Sequence, residues 1–361
     1  MSPLSPQGTP ESPELIGTQI GNYRLSRLLG GGSMGAVYEA VHNQISRRVA
    51  VKVLHAHLSQ DPEQRSRFLN EARAVSRVQH PGLIQIYDCG ELPGGQIYII
   101  MEFLEGAQLA DRLQTAEPLP QGESLRIVHG MAQALAAAHQ AGIIHRDLKP
   151  ENVMLLGAPA VGTATADKVK VLDFGIAKIL QSQVDARQTA PGSVLGTPLY
   201  MSPEQCVGNL VTDPRADVYA LGVMLYELVA GRRPFRGPTP MDVLVAVMSQ
   251  KVEGVDELPG GLGRIVERAL CKRAEERFQT AGEMAAALDG LGSSGEGQTG
   301  RGATTDGGSV YRVSEASSTT SGGGASTSSV RSHAAARQVM GNHPASVPTR
   351  ATASPAAASE R

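Results

Sequence analysis

The sequence predicts an α+β fold in two lobes, a small β-rich N-lobe carrying one helix and a larger α-helical C-lobe. Three observations predict it. Short β-type runs punctuated by turn residues follow one another from Tyr23. Beyond Glu105 the apolar residues recur at helical spacing. From about Gly292 the composition collapses to Gly, Ser, Thr and Ala, which bury too little apolar surface to offset the entropy of ordering. The chain therefore divides into a disordered Ser/Pro-rich leader over 1–22, a folded domain over 23–290 with lobes of about 23–104 and 105–290, and a disordered tail over 291–361.

In the first lobe, strands are predicted at Tyr23–Leu29, Ala36–His42 and Arg48–Leu54, separated by turns at Gly30–Gly35 and Asn43–Ser46. A helix over Glu63–Val78 places Phe68, Leu69, Ala72, Val75 and Val78 near helical spacing. Strands Ile84–Glu91 and Gln96–Phe103 follow, joined by Pro93-Gly94-Gly95. The second lobe is read as helices over Leu109–Leu113, Glu123–Ala141, Ala216–Val229, Met241–Ser249, Leu262–Arg268 and Ala281–Leu288.

Composition excludes several classes. The net charge of −2 supplies no field to collect nucleic acid or an acidic membrane. Cys89, Cys206 and Cys271 form no close pair, which argues against a zinc site or disulfide framework and fits a reducing compartment. The longest apolar run, Val218–Tyr226, is about half a bilayer span, and residues 1–14 hold no signal-type apolar core. A soluble, cytoplasmic protein with no nucleic-acid or membrane partner is expected.

Four motifs carry chemistry. Gly30-Gly31-Gly32-Ser33-Met34-Gly35-Ala36-Val37 lies between two strands, where glycines let backbone N–H groups approach phosphate oxygens. A dinucleotide fold would need a helix after that loop. Val49-Ala50-Val51-Lys52 sets a lysine in an apolar strand, costly unless its ammonium meets an anion such as Glu71 or a phosphate. His145-Arg146-Asp147-Leu148-Lys149-Pro150-Glu151-Asn152 offers a carboxylate to accept a hydroxyl proton and an amide oxygen suited to a hard cation. Asp173-Phe174-Gly175 follows the apolar strand Val169–Leu172 and puts a carboxylate at a strand end.

In this order and spacing, over roughly residues 23–290, the set resembles the protein kinase signature. Lys149, together with Gly196-Thr197-Pro198-Leu199-Tyr200-Met201-Ser202-Pro203-Glu204, is similar to the serine/threonine branch, and the wording Gly196–Gln205 to bacterial members. The resemblance implies transfer of the γ-phosphoryl group of Mg-ATP to Ser/Thr hydroxyls of protein substrates, with manganese as a substitute ion. It implies Asp147 as catalytic base, Lys149 steadying the γ-phosphate, and Lys52 on the α- and β-phosphates, paired to Glu71. Asn152 and Asp173 would hold the metal. Leu29, Gly30, Gly31, Gly32, Ser33, Met34, Gly35, Ala36 and Val37 would cover ATP. Val37, Ala50 and Met154 would sandwich adenine beneath gatekeeper Met101, with the backbone of Glu102 and Leu104 on its edge. It further implies an internal stack of His145, Phe174 and Val75, a catalytic loop anchored by Asp217, and a Glu204–Arg277 ion pair.

Departures from the family pattern are Met34 at the loop tip, Ser202 before Pro203-Glu204, Lys272-Arg273-Ala274 without an acidic-Pro pair, and a long loop at Gly157–Asp167. None removes a catalytic group. A pseudokinase would have lost Lys52, Asp147 or Asp173, and a small-molecule phosphotransferase would lack the segment Asp173–Glu204. Arg146, a cation beside Asp147, points to activation by a phosphate on the segment. Thr189 and Ser193 are preferred over Ser182, modified in trans within a transient homodimer.

Overall fold

A computed structural model describes residues 15–32, 34–114, 117–157, 168–174, 199–208 and 213–295. The chain forms two units, Met1–Gly302 and Ala303–Arg361, and every described residue belongs to the first. Of the leader expected over 1–22, residues 1–14 lie outside the described residues, as do the tail beyond 295 and the loop 158–167. Within the expected leader Gln19–Ile20 forms a strand against Tyr23 and Arg24 with Ile20 buried, and the helix Ala281–Gly295 runs past residue 291, so the folded part extends beyond both expected limits.

The N-lobe is a six-stranded sheet of β1 (Gln19–Ile20), β2 (Tyr23–Gly32), β3 (Gly35–His42), β4 (Arg48–Leu54), β5 (Ile86–Glu91) and β6 (Ile97–Glu102). The order is β1-β2-β3-β4-β6-β5, and every neighbouring pair is antiparallel. Alternation of side chains sends the two faces to two cores. Leu25, Tyr38, Val49, Val51, Val53 and Ile100 share one cluster, while Leu54, Ile97 and Ile99 meet Phe68 and Ala72 in the other.

Phe68 and Ala72 belong to α2 (Pro62–Ser76), which follows the short α1 (Ala56–Ser59). Asp61 starts α2: its Oδ1 accepts the N–H groups of Glu63 (2.9 Å) and Gln64 (3.2 Å), and Pro62 needs no N–H partner there. This cap places the start one residue earlier than the apolar spacing alone. β5 begins later than expected because Ile84 has another partner. Its N–H donates to Val171 O (3.1 Å), while Val171 N–H donates to Gly82 O (2.8 Å).

Val171 closes β9 (Lys168–Val171), the outer strand of a small sheet with β7 (Gly106–Gln108) and β8 (Val153–Leu156), ordered β7-β8-β9. Helices α3 (Leu109–Leu113), α4 (Gln121–Gln140), α5 (Pro203–Cys206), α6 (Arg215–Ala230), α7 (Pro240–Ser249), α8 (Leu262–Ala269) and α9 (Ala281–Gly295) complete the C-lobe. Helix α6 is buried at every position from Ala216 to Leu228, which is why its sequence is apolar all round. Gly222 permits this: a Cβ there would lie 2.7 Å from that of Ala269 on α8. Gly231, with φ 64°, ends α6 in the left-handed region. The described residues thus form the two-lobed α+β architecture predicted from the sequence.

Candidate active site

The loop between α4 and β8 hangs from α6. Asp217, 1% exposed, accepts His145 N–H at Oδ2 (2.8 Å) and Arg146 N–H at Oδ1 (2.9 Å). His139 Nε2 donates to the same Oδ2 at 2.8 Å. His145 Nε2 donates to Leu172 O (2.8 Å), and its ring lies 4.8 Å from that of Phe174. Val75 of α2 joins the same apolar cluster as Phe174, so the stack reaches into the N-lobe. Arg146 is held at φ 66°, a strained conformation for a residue with a Cβ.

Asp147 follows directly. Lys149 Nζ stands 2.9 Å from Asp147 Oδ2, and the Asn152 amide N donates to Asp147 O (2.8 Å). That bond turns the Asn152 oxygen the other way. Leu172 N–H donates to Asn152 O (2.8 Å), which ties this loop to the strand end carrying Asp173. Asp173, at φ 39°, reaches Lys52 of β4, with Oδ2 and Nζ 2.8 Å apart. Its anion makes a largely buried lysine (13% exposed) tolerable within an apolar strand. Lys52, Asp173, Asn152, Asp147 and Lys149 are therefore one connected set spanning both lobes.

The glycine hairpin closes above Lys52, with Gly32 opposite Gly35, Gly31 opposite Ala36 and Gly30 opposite Val37. A Cβ on Gly30, Gly31 or Gly32 would meet nothing within 4 Å, so those backbones face open space. Gly35 is different: its Cβ would sit 2.1 Å from Val53 O. His55 braces the tip, its N–H donating to Met34 O (2.9 Å) and its Nε2 to Gly32 O (2.9 Å).

Ala50 faces Met101 across β4 and β6, and Val37 faces Lys52 across β3 and β4. Met101 and Leu104 are partly buried against the main C-lobe core, and Met154 is half-buried on β8. The Glu102 carboxylate accepts Gln85 N–H (2.7 Å) and pairs with Lys170 of β9, whose Nζ also donates to Leu83 O (3.0 Å). The connection between the lobes is thereby pinned from behind.

Below the cleft, Glu204 and Arg277 form a bidentate pair, both N···O distances 2.8 Å. Arg277, 1% exposed, also donates to the carbonyls of Cys271 (2.8 Å), Lys272 (3.0 Å) and Arg215 (3.1 Å). Burial alone would raise the Glu204 carboxyl, but the hydrogen bonds and charge of Arg277 outweigh it and hold the group below the usual carboxylate range. Burial, reinforced by Glu227, pushes the Tyr200 hydroxyl upward, and that hydroxyl donates to Glu227 at 2.6 Å. Burial pushes the Lys272 ammonium down to about 8, although Phe235's ring (4.0 Å) and Val247 O (2.6 Å) both favour its charge.

A family model of the protein kinase domain matches residues 23–286. The chain belongs to the protein kinase family. It is 43% identical over 278 residues to serine/threonine-protein kinase Pkn1 of Myxococcus xanthus, covering 76% of this chain and 39% of that protein. Against serine/threonine-protein kinase PknB of Mycobacterium leprae the identity is 41% over 276 residues, covering 74% and 42%. The chain spans about two fifths of the length of these curated relatives. Among solved structures, the crystal structure of the Mycobacterium tuberculosis PknI kinase domain matches with a TM-score of 0.57 and 30% identity. The match covers 77% of this chain and 98% of that one.

Within this kinase domain, Ser33, the side chain of Glu71 and residues 175–198 lie outside the described residues. The proposed Lys52–Glu71 pair, Thr197 and the hydroxyls of Ser182, Thr189 and Ser193 fall there. Four residues that engage the site escaped the sequence reading. His55 and His139 sit beside the glycine hairpin and the Asp217 anchor. Lys170 alternates with Val169 and Val171 as a solvated strand face would, and nothing in its spacing announces Glu102. Gln205 carried a signal only as part of the Gly196–Gln205 wording.

Proposed function

We propose that this chain is an ATP-dependent protein serine/threonine kinase. The observation that carries the reading is the linked set of Lys52 with Asp173, Leu172 with Asn152, Asn152 with Asp147 and Asp147 with Lys149, which sets a cation from the sheet and a carboxylate from the loop on one cleft. Similarity to named bacterial serine/threonine kinases supports it.

In this reading the substrate hydroxyl oxygen attacks the γ-phosphorus, an O–P bond forms, and the β–γ bridging P–O bond breaks to release ADP. Asp147 orients the hydroxyl and takes its proton, and Lys149 beside it offsets charge on the γ-phosphoryl. Lys52 leaves Asp173 for the α- and β-phosphates, with Glu71 as its counter-ion. Backbone N–H groups of Gly30–Gly35 approach the phosphates. Val37, Ala50, Met101 and Met154 line the adenine slot, whose edge faces the backbone of Glu102 and Leu104.

The donor set fits a hard divalent cation, magnesium or manganese. Asp173 supplies a half-exposed carboxylate, and Asn152 an amide oxygen whose nitrogen is already committed. Among the described residues no group of three His, Cys, Asp or Glu could hold a metal, so nucleotide phosphates would complete the shell. Held by Asp173 and Asn152, such a cation would supply positive charge to offset that developing on the phosphoryl oxygens.

The reading extends to regulation. A phosphate on Thr189 or Ser193, added in trans within a transient homodimer, would pair with Arg146 and order the segment that leads to Tyr200. Among the described residues no helix is long and apolar enough to cross a membrane, and the three cysteines form no disulfide. Free thiols fit a reducing compartment, and the reading takes this kinase to be cytoplasmic.

The test is phosphoryl transfer from labelled Mg-ATP to a generic basic protein, followed by phosphoamino-acid analysis. Phosphoserine or phosphothreonine from wild type and none from Lys52→Met is the expected result. No transfer by purified wild type sinks the reading. Mass spectrometry before and after phosphatase tests the regulatory part, which fails if Thr189→Ala/Ser193→Ala keeps full activity.

A further inference from the structure

The peptide joining Arg146 to Asp147 is gripped from two directions. Its N–H, on Asp147, donates to His145 O (2.8 Å), and its carbonyl, on Arg146, accepts the side-chain amide of Gln205 (2.7 Å). Gln205 lies in α5, one residue after Glu204 and its buried partner Arg277. The orientation of the Gln205 amide is determined by its surroundings. Its Oε1 accepts both the N–H (3.0 Å) and the hydroxyl (3.3 Å) of fully buried Ser202, which leaves the NH₂ facing Arg146.

We propose that Gln205 is a positioning residue for the kinase reaction, acting on Asp147 through the Arg146 carbonyl. The inference rests on the kinase reading above and adds to it a residue outside the substrate-contacting set. Arg146 is held at φ 66°, a conformation of higher energy that persists only where neighbours over-determine it. Asp217 holds the N–H of Arg146, and Gln205 holds its carbonyl. Without the second bond the peptide can rotate, and the Asp147 carboxylate swings with it. A shift of about 1 Å at a reacting group costs up to about a hundredfold in rate. The anchored foot of the activation segment is thereby wired to the base: Arg277 holds Glu204, Glu204 sets Gln205, and Gln205 sets Asp147.

Two substitutions separate this role from simple support of α5. Gln205→Glu keeps the acceptor for Ser202 and adds a favourable negative charge at the start of a helix, but it loses the donor and turns an oxygen toward the Arg146 carbonyl. Gln205→Lys keeps a donor and loses the acceptor. For Gln205→Glu the expected result is an unchanged Tm, a KM for ATP within about twofold of wild type, and kcat down about tenfold or more. That kcat deficit should shrink as pH falls and the introduced carboxyl regains a proton to donate. Gln205→Lys should lose Tm yet keep more of its kcat. Wild-type kcat in Gln205→Glu, or kcat that tracks Tm across both variants, overturns the proposal. Should Gln205→Glu fail to fold, Gln205→Lys decides alone, retained kcat supporting the role and a tenfold loss overturning it. An inactive wild type would instead remove the kinase reading itself.

Discussion

Arg146 and Asp173 both sit on strained backbone. Among the described residues three non-glycines take positive φ, and two of them, Arg146 (66°) and Asp173 (39°), are at the site. Each costs about 1–3 kcal/mol, a cost the Asp217 and Lys52 contacts offset. Asp147→Asn removes proton acceptance while keeping size and backbone contacts. It should leave the KM for ATP near wild type and lower kcat by several orders of magnitude, as read by steady-state kinetics. Substantial autophosphorylation by that variant would contradict the role. Glu204 makes a pH-dependent contribution. Its carboxyl titrates lower in the folded protein than in the unfolded chain, so the stabilisation is present at neutral pH and is lost as pH falls through the depressed folded value. Glu204→Gln lacks it throughout. The Tm gap between the two proteins should be wide at neutral pH and close toward acid, and a constant gap would refute the assignment.

Among the elements, the glycine hairpin separates folding from function within a few residues. Gly35 abuts the Val53 carbonyl, whereas Gly31 faces open space. Gly35→Ala must push β3 from β4 and should cost about 1–3 kcal/mol, visible as a drop of several degrees in Tm. Gly31→Ala should leave Tm unchanged and still weaken ATP binding, because its Cβ intrudes where phosphate approaches; equal Tm losses would refute the distinction. This hairpin was legible in the sequence because turn residues and alternating apolar residues are local signals. So were Lys52, Asp147, Asn152 and Asp173, whose types are costly or purposeful in apolar surroundings. The small β7-β8-β9 sheet was only half legible, since Val153–Leu155 is too short to announce a strand without its partners. The Lys170–Glu102 pair and the Gln205–Arg146 bond were not legible at all. Each joins residues far apart in sequence, and ordinary polar residues within a strand or a short helix carry no local mark of a distant partner.

For the domain as a whole, the lobes are joined by more than the backbone at Phe103. The Lys52–Asp173 pair, the Ile84–Val171 exchange and the contact of Val75 with the C-lobe core all cross between them. The order of the lobes, sheet before helices, was readable as a change of hydrophobic period. These cross-links were not, because they depend on how the lobes face each other. The buried state of α6 has a consequence for how the C-lobe comes apart. A helix without a polar face cannot stand in water alone, so α6 is released only when α4 and α8 release it together. Helix α7, with Met241, Val245 and Met248 exposed, has no such obligation. Amide hydrogen exchange should therefore sort the two helices into different classes. The amides of 218–228 should exchange only through global unfolding, with a free energy equal to that from denaturant melts, while those of α7 should open earlier. Comparable rates in both helices would mean that the C-lobe frays from its centre. Under the expected result the slowest-exchanging amides and the anchor of the catalytic loop belong to one helix, so Asp217 keeps its hold on His145 and Arg146 until the entire domain unfolds.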